Sequence, residues 1–404
     1  MKKKQIRIVA VVILCMMMVV SLAACGGGSG GSSTAAPPAA PAGDSGAAAP
    51  ADDADAGAAA PAGDSGTYKI GYLNFGPDWI LNRFMEEAKE AALWANPSND
   101  FIEADGGYMA DTMTGEVQKL LAGGAQGLCY DAHFDNMLPG TVEACKSADA
   151  ALLIAHVPPF PESMHYVLEY DKFVGYFGSD LYQAGFQLGE RAAADGFKKA
   201  IIASGAKGTL DMNGKIDGFN DGFIAGGGEI LDTITTTLPT EVEGKVADSL
   251  AAHPDCDVIY GSTGAHTLGS ISAAEKAGMT LSFYSSDLDP DLTQMVADGK
   301  IKAGDAGASV EWVMGMALLI NFLDGHPIKD DAGQAPVIDW MKPLLVDQTN
   351  AKVVLDNWIS NHPISETMFK NYLYAYNPDV TYADFTDFAD NYAVDWFQDA
   401  KSKF

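Results

Sequence analysis

The sequence is poor in positive charge and lacks clustered basic residues. Its 404 residues include 25 Lys and Arg against 54 Asp and Glu, so the formal net charge is −29. The longest basic run is Lys2-Lys3-Lys4. Contacts with phosphate need clustered Lys and Arg, and nucleic-acid binding is therefore not expected.

The sequence also lacks the short motifs of common enzymes and metal sites. It contains no HExxH, no GxSxG and no P-loop. The cysteines form no Cys-x-x-Cys pair and no zinc spacing, which argues against a disulfide-built fold. They are Cys15, Cys25, Cys129, Cys145 and Cys256. We therefore predict that the chain is not an enzyme and that it needs no cofactor and no metal.

The first 25 residues show the pattern of an export signal. Positive residues up to Arg7 precede an unbroken apolar run from Ile8 to Val20, which is short for a membrane span. Leu22-Ala23-Ala24-Cys25 then resembles the lipobox of bacterial lipoproteins. This resemblance implies that residues 1–24 are a signal peptide and that Cys25 is acylated, which anchors the protein to the extracytoplasmic face of the cell membrane. A plain signal peptide or an uncleaved signal anchor is the alternative interpretation.

Residues 25–66 have the composition of a disordered tether. Gly, Ala, Ser, Pro and Asp dominate this segment, and it contains no aromatic residue and no Leu, Ile or Val. Such a chain cannot bury enough apolar surface to offset its conformational entropy.

From Thr67 onward, short apolar strands alternate with amphipathic helices. The pattern runs to about residue 177 and then starts again without a linker. Continuous apolar strands of this kind are typical of parallel sheets covered on both faces. The predicted strands are 68–73, 101–104, 127–130, 151–155, 173–177, 199–203, 229–236, 258–260, 280–284 and 302–305, and the predicted helices are 79–94, 114–122, 140–148, 180–195, 215–225, 242–252, 265–277, 290–297 and 312–322. We predict an α/β fold of two similar lobes, each a parallel sheet flanked by helices, with a cleft between them.

Several stretches of this region carry a family resemblance. They include Lys69-Ile70-Gly71-Tyr72, the passage from Gln118 to Leu128, Gly178-Ser179-Asp180, Leu268-Gly269 and Ser286-Asp287. Together they resemble the type I periplasmic-binding-protein family, in its ribose-binding-like branch, from Tyr68 to about Val346. The resemblance implies a monomer with two lobes joined by three strands at a hinge. Such proteins close on a small-molecule solute and deliver it to the permease subunits of an ABC importer.

The resemblance implies that the chain crosses the hinge near Phe177, Gly307 and Trp340. The first lobe would comprise residues 67–177 plus 308–340, and the second lobe residues 178–307 plus 341–404. The last forty or so residues, rich in Tyr, Phe, Trp and Asp, extend beyond the part that resembles the family.

The ends of the predicted strands supply candidate ligand-binding residues. Ligands of open parallel sheets bind outside the carboxyl ends of the strands. This rule selects Phe75, Asp78, Trp79, Asp105, Tyr130, Asp131, His133 and His156 from the first unit, and Lys215, Thr263 and Asp287 from the second. Ser309 is added because it takes the place of the family's Gln near the hinge.

Two of these candidates are predicted to face each other across the cleft. Trp79 offers a flat apolar surface and an N–H donor, and Asp287 matches a ligand-binding acid of the family. The alternatives are a core Trp and a helix-capping Asp. His133 and His156 should lie on neighbouring strand ends, where they could contact one ligand. Two His are too few for a usual metal site.

The sequence departs from its sugar-binding relatives at several positions. Ala155-His156 stands where those relatives usually have Asp-Arg, and Thr263-Gly264 where they often have Asn-Asp. Lys215 stands in place of an Arg, and Ser309 in place of a Gln. The predicted solute is therefore small and polar, a sugar or a sugar-like molecule, with a nucleoside or a small aromatic as alternatives. A sensing lipoprotein for a membrane receptor is the alternative to a transport function.

Overall fold

The structure is a computed structural model, and it describes residues 65–396 of the chain. The predicted signal peptide, Cys25 and the predicted tether up to residue 64 lie outside the described residues. The last two residues of that tether are described, and the Asp324 carboxylate accepts hydrogen bonds from Ser65 Oγ at 2.7 Å and from the Gly66 N–H at 2.9 Å. Within residues 65–396, no helix combines the length and the apolar character needed to span a membrane.

The described chain alternates strands and helices almost throughout. The strands are β1 (Lys69–Asn74), β2 (Asp100–Asp105), β3 (Gly127–Tyr130), β4 (Ala151–Ala155), β5 (Phe173–Ser179), β6 (Lys199–Gly205), β7 (Glu229–Thr236), β8 (Val258–Gly261), β9 (Ser282–Ser285), β10 (Ala303–Ala306), β11 (Val337–Met341) and β12 (Leu344–Asp347). The helices are α1 (Trp79–Ala95), α2 (Ala110–Ala122), α3 (Leu138–Ala148), α4 (Met164–Leu168), α5 (Leu181–Ala194), α6 (Leu210–Ala225), α7 (Val242–Ala252), α8 (Gly264–Ala277), α9 (Pro290–Ala297), α10 (Val310–Leu323), α11 (Ala351–Val354), α12 (Glu366–Lys370) and α13 (Tyr382–Asn391).

The strands form two six-stranded sheets of the same design. The first sheet has the order β11-β5-β4-β3-β1-β2, and the second has the order β12-β10-β9-β8-β6-β7. We call each sheet with the helices that cover it a lobe. Helix α10 packs on β4 and β5 and therefore belongs to the first lobe, although it follows β10 of the second. The predicted fold class of two α/β lobes is confirmed.

The chain passes between the lobes at three places, which we call the crossings. They are Asp180 after β5, Gly307–Ser309 after β10, and Lys342–Pro343 after β11. Strand β10 runs toward a crossing and β12 runs away from one, so these two neighbours pair antiparallel. All other strand pairs of the described sheets are parallel. The carboxyl ends of the parallel strands of both lobes consequently point toward the crossings.

Two helices of the second lobe approach each other through glycines. A Cβ atom at Gly185 or Gly189 of α5 would lie 2.2–2.3 Å from backbone oxygens of α6, and one at Gly218 or Gly222 of α6 would lie 2.1–2.3 Å from backbone oxygens of α5. Real Cβ atoms do not approach that closely, so only glycine permits this spacing. The close contact fixes the position of α6, which carries Lys215.

Most predicted elements agree with the structure, and the differences are at the ends of elements, at helix α4, which was not predicted, and in the C-terminal part. Helix α6 begins at Leu210, five residues before the predicted start, because Thr209 Oγ1 accepts a hydrogen bond from the Met212 N–H and caps the helix. Helix α2 begins at Ala110, before the predicted start at Thr114. Strands β11 and β12 and the helices after them were not predicted, because their apolar patterns are short.

Candidate binding site

Two residues at facing strand ends have an unusual backbone conformation. His156 follows β4 with φ of 68°, and Asp287 follows β9 with φ of 57°. A left-handed backbone is strained for residues with a Cβ atom, and such strain concentrates at functional sites. Both side chains line one cavity between the lobes.

This cavity is built by both lobes and by the crossings. Its polar lining consists of His156, Ser179, Lys215, Asp287, Asp305 and Glu311, and its apolar lining includes Ile80, Leu181, Leu288 and Pro343. The free space is about 20 Å³, which is room for a single water molecule. Small-molecule pockets measure roughly 300–1,000 Å³. In this arrangement of the lobes the cavity is therefore too small for a sugar-sized solute.

Lys215 is the centre of a buried ionic cluster in the second lobe. Its Nζ lies 3.0 Å and 2.9 Å from the two carboxylate oxygens of Asp287. It also lies 2.8 Å from Asp211 Oδ1, an ion pair without hydrogen-bond alignment. Burial opposes the charge of Lys215, but the carboxylates of Asp211 and Asp287 outweigh it and raise the pKa of Lys215 well above its usual value. Burial likewise opposes ionisation of Asp211, yet the Lys215 charge lowers the pKa of Asp211.

Asp305 lies beside this cluster at the end of β10. Its Oδ2 accepts a hydrogen bond of 2.5 Å from Ser286 Oγ, and its Oδ1 accepts one of 3.2 Å from the Asp287 N–H. Burial and the nearby Asp287 carboxylate raise the pKa of Asp305 above the usual value of a carboxyl group. The second lobe thus presents three carboxyl groups around one ammonium group.

The first lobe contributes a buried His–Glu pair. His156 Nδ1 lies 2.9 Å from Glu311 Oε2, and Ser179 Oγ donates a hydrogen bond to Glu311 Oε1. Burial alone would lower the pKa of His156, but the Glu311 carboxylate outweighs burial and raises it to about 9. His156 is therefore cationic at neutral pH.

A second His of the first lobe is held in a stack. His133 Nε2 lies 2.9 Å from Asp131 Oδ2, while Asp131 Oδ1 accepts a hydrogen bond of 3.0 Å from the Val157 N–H. The Phe75 ring stacks on the His133 ring with the centroids 3.7 Å apart. These contacts fix Phe75, Asp131 and His133 as one unit at the ends of β1 and β3.

The start of α1 brings a further carboxylate toward the cleft. Asp78 caps the helix by accepting a hydrogen bond of 2.9 Å from the Leu81 N–H, and it accepts another of 3.2 Å from Tyr108 Oη. Burial and the charge of Asp287 raise the pKa of Asp78. Trp79 is 36% exposed, and the residue of α1 that lines the cavity is Ile80.

Of the twelve predicted site residues, only His156, Lys215 and Asp287 line this cavity. The nine others do not, so Trp79 and Asp287 do not face each other across it, and the four not yet described lie elsewhere. Asp105 accepts a hydrogen bond from the Gly107 N–H in the loop after β2. Tyr130 is buried in the apolar core of the first lobe. Thr263 Oγ1 lies 2.7 Å from His266 Nδ1. Ser309 is buried immediately after the cavity residues Gly307 and Ala308.

Sequence analysis missed four polar residues of the site, although three of them had a signal. Asp305 ends a predicted strand, Asp211 stands four residues before Lys215, and Ser179 lies in the quoted Gly178-Ser179-Asp180 stretch. Glu311 had no local signal, since it belongs to the helix after the second crossing and meets His156 from 155 residues away.

Comparisons with known proteins identify the family of this chain and structures with a similar fold. The model of a family described as periplasmic binding protein domain matches residues 74–321. Among curated proteins, no significant match exists. One similar solved structure is the periplasmic binding protein component of an arabinose ABC transporter from Shewanella sp. ANA-3, with a TM-score of 0.62 and 17% identity, covering 71% of this chain and 94% of that chain.

Two further solved structures have comparable similarity. A carbohydrate transporter protein from Acidothermus cellulolyticus has a TM-score of 0.61 and 17% identity, covering 72% of this chain and 98% of its own. A periplasmic solute-binding protein of an ABC transporter from Actinobacillus succinogenes has a TM-score of 0.62 and 16% identity, covering 71% of this chain and 100% of its own. At such identities the likeness establishes the two-lobe fold.

Proposed function

Because the chain belongs to the periplasmic binding protein domain family, we propose that it is an extracytoplasmic solute-binding protein of an ABC importer. It captures a small polar solute, a sugar or a sugar-like molecule, by closing its lobes and delivers it to the permease. The membership agrees with the family resemblance predicted from the sequence.

One observation carries this proposal. A single cavity is lined by polar side chains of both lobes, with His156 and Glu311 on one side and Lys215, Asp287 and Asp305 on the other. All three crossings lie next to it, so a change of backbone angles at a few residues opens or closes it. A solute that contacts both sides therefore stabilises the closed arrangement.

The charges of the site favour a solute rich in hydrogen-bond donors. The cavity is lined by the carboxyl groups of Asp287, Asp305 and Glu311, and Asp211 pairs with the cavity residue Lys215. The charged donors opposite them are Lys215 and His156. Hydroxyl groups of a polyol can donate to the carboxylates and accept from Lys215 and His156. A phosphorylated or acidic sugar would instead bring its own negative charge close to these carboxylates, which would repel it.

The ligands of similar structures are of this class. The Shewanella protein is bound to α- and β-L-arabinofuranose, the Acidothermus protein is in complex with myo-inositol, and the Actinobacillus protein has bound D-allose. These molecules are neutral and carry several hydroxyl groups, which supports the same class for this chain.

The remaining parts of the proposal concern anchoring and domain limits. We propose that Cys25 is acylated and holds the monomeric protein at the outer face of the membrane. We also propose two lobes close to the predicted limits of residues 67–177 plus 308–340 and 178–307 plus 341–404, with strands β5 and β11 extending the first lobe to Ser179 and Met341.

A thermal-shift screen of the purified protein tests the proposed function. Pentoses, hexoses, inositols, nucleosides and small aromatics form the test set, and sugar phosphates serve as negative controls. A solute at 100 times its Kd should stabilise the protein by about 2.7 kcal/mol. Asp287→Ala should weaken binding of the identified solute by roughly 1–3 kcal/mol. Trp79→Ala tests the predicted contact of Trp79 with the solute, since Trp79 lies outside the cavity lining in this arrangement of the lobes. Stabilisation by sugar phosphates alone, or by no member of the set, would contradict the proposal.

A further inference from the structure

The C-terminal segment, which we define as residues 351–392, contacts the chain at or beside all three crossings. The ring centroid of Phe388 lies 6.1 Å from that of Phe177, and Phe177 belongs to the strand that precedes the first crossing. Tyr392 Oη donates a hydrogen bond of 2.8 Å to the Gly307 carbonyl oxygen, at the second crossing. Asp390 Oδ1 accepts one of 2.8 Å from Trp340 Nε1, in the strand that precedes the third crossing.

Tyr392 is the central contact of this set. Its side chain is buried, and its hydroxyl oxygen also accepts a hydrogen bond of 2.9 Å from Trp358 Nε1. Gly307 has φ of +92°, which favours glycine. A Cβ atom at Gly307 would lie 2.6 Å from Tyr392 Oη. The Tyr392 hydroxyl therefore contacts Gly307, which is the residue of the second crossing with the greatest backbone freedom.

The C-terminal segment is attached to both lobes before it reaches the crossings. Helix α11 and the turn after it pack on α9 of the second lobe. Farther along, Arg83 Nη2 of α1 donates a hydrogen bond of 2.9 Å to the Asn361 carbonyl oxygen, and Tyr376 Oη donates one of 2.9 Å to the Ala95 carbonyl oxygen. The segment therefore spans from the second lobe to the first.

An ionic contact strengthens the attachment to the first lobe. His362 Nδ1 lies 3.0 Å from Glu87 Oε2, and His362 Nε2 lies 2.5 Å from Glu90 Oε2. Each ring nitrogen faces a different carboxylate, and Arg83 lies 2.7 Å from Glu87. This geometry suits a protonated imidazole between two carboxylates. A metal ion would instead be bound jointly by one ring nitrogen and both carboxylates, on the same side of the ring.

From these contacts we propose that the C-terminal segment is a brace on the hinge that favours the closed arrangement and so sets the solute affinity. The inference rests on the proposed function, since it assumes lobes that open and close. All of these contacts exist in an arrangement whose cavity holds only about 20 Å³. Helix α13, which carries Asp390, packs on β11 of the first lobe, so the Asp390–Trp340 bond holds the segment on that lobe. Rotation at the second crossing moves Gly307 relative to this helix, so opening must break or rebuild the Tyr392–Gly307 bond. A brace of this kind raises the closed population before solute arrives, which tightens apparent binding.

The test compares two matched Tyr→Phe substitutions, one in the C-terminal segment and one outside it. Tyr392→Phe removes the hydroxyl contact with the second crossing, and Tyr170→Phe removes a buried Tyr-to-carbonyl bond, to Ala150, that lies wholly within the first lobe. Trp340→Phe provides a second hinge variant if Tyr392→Phe does not fold. Spin labels at Met109→Cys and Leu238→Cys, both exposed and placed after the edge strands β2 and β7, report the distance between the lobes by double electron–electron resonance. Cys15 and Cys25 are replaced by Ser, and Cys129, Cys145 and Cys256 are buried.

The measurement is made on the solute-free protein, so its outcome does not depend on knowing the solute. We expect the longer-distance population to rise several-fold in Tyr392→Phe and to stay unchanged in Tyr170→Phe. For a solute found in the thermal-shift screen, Kd should rise about threefold to tenfold in Tyr392→Phe only. Equal distance distributions in both variants and the unsubstituted chain would overturn the brace. A failure of every solute to bind would instead count against the proposed function.

Discussion

Lys215 Nζ lies 2.9 Å from Asp287 Oδ2, and this ion pair joins helix α6 to the loop after β9 inside the second lobe. The side chain of Lys215 is 2% exposed and that of Asp287 is 13% exposed. Because the pair also lines the cavity between the lobes, the same contact stabilises the fold and shapes the site.

The first prediction concerns this cluster. Lys215→Met should lower the free energy of unfolding by about 3–5 kcal/mol, because it leaves the buried carboxylates of Asp211, Asp287 and Asp305 without a counter-charge. Asp287→Asn should cost less, about 1–2 kcal/mol, since Lys215 keeps Asp211 as a partner. Urea denaturation of both variants measures the difference. Equal stabilities of Lys215→Met and the unsubstituted protein would show that the cluster is not needed for folding.

The second prediction concerns pH. The pKa of His156 is raised to about 9 in the fold, against about 6.5 in an unfolded chain. The folded state therefore binds more protons between these values, and stability is fully present below pH 6.5 and is lost as pH rises toward 9. The loss should be on the order of 3 kcal/mol. Denaturation curves at several pH values test this, with His156→Gln as the control whose stability should fall less over the same range.

The third prediction concerns the glycine contact between α5 and α6. Gly218→Ala should destabilise the protein by several kcal/mol, about the size expected of overpacking against backbone, because its Cβ atom would lie 2.1 Å from the Tyr182 carbonyl oxygen. The matched control is Gly244→Ala in α7, where no atom lies within 4 Å of the added Cβ. That variant should gain about 0.5–1 kcal/mol from better helix propensity. Thermal unfolding of the two variants should move in opposite directions.

The fourth prediction concerns anchoring. Cys25→Ser should move the protein from the membrane fraction to the soluble fraction, because a protein with several acyl chains is firmly held by the bilayer and one without them is not. Membrane fractionation and mass spectrometry of the N-terminal peptide provide the measurement. An unmodified Cys25 in the unsubstituted protein would contradict the predicted lipidation.

The fifth prediction concerns closure. The identified solute should reduce the radius of gyration in X-ray scattering without forming dimers, and it should be recovered chemically unchanged. A solute that binds without compaction, or that is converted to a product, would argue for a different function of the cleft.

Much of the architecture could be predicted from local sequence patterns. Strands β3 and β4 and helices α7 and α9 have their predicted bounds, because each is a short apolar or amphipathic run ended by a clear turn or cap. The alternation of strands and helices and its restart near residue 177 predicted two similar α/β lobes. The strand-end rule predicted His156, Lys215 and Asp287, which line the cavity together.

The rest depends on contacts between residues far apart in the chain. Glu311 meets His156 across 155 residues, and Tyr392 meets Gly307 across 85 residues. No local sequence pattern indicates that two residues so far apart in the chain are in contact, so neither pair could be predicted from the spacing of residues.

By itself, the sequence determined most of the secondary structure up to residue 323 and the order of the lobes, because these follow from side-chain type and short-range periodicity. Tertiary structure alone decided which carboxylates surround Lys215, why His156 is cationic and how the C-terminal segment reaches the crossings. The physical reason is burial. The strength of a charge pair or a hydrogen bond depends on how much water is excluded around it, and that exclusion exists only after both lobes have packed.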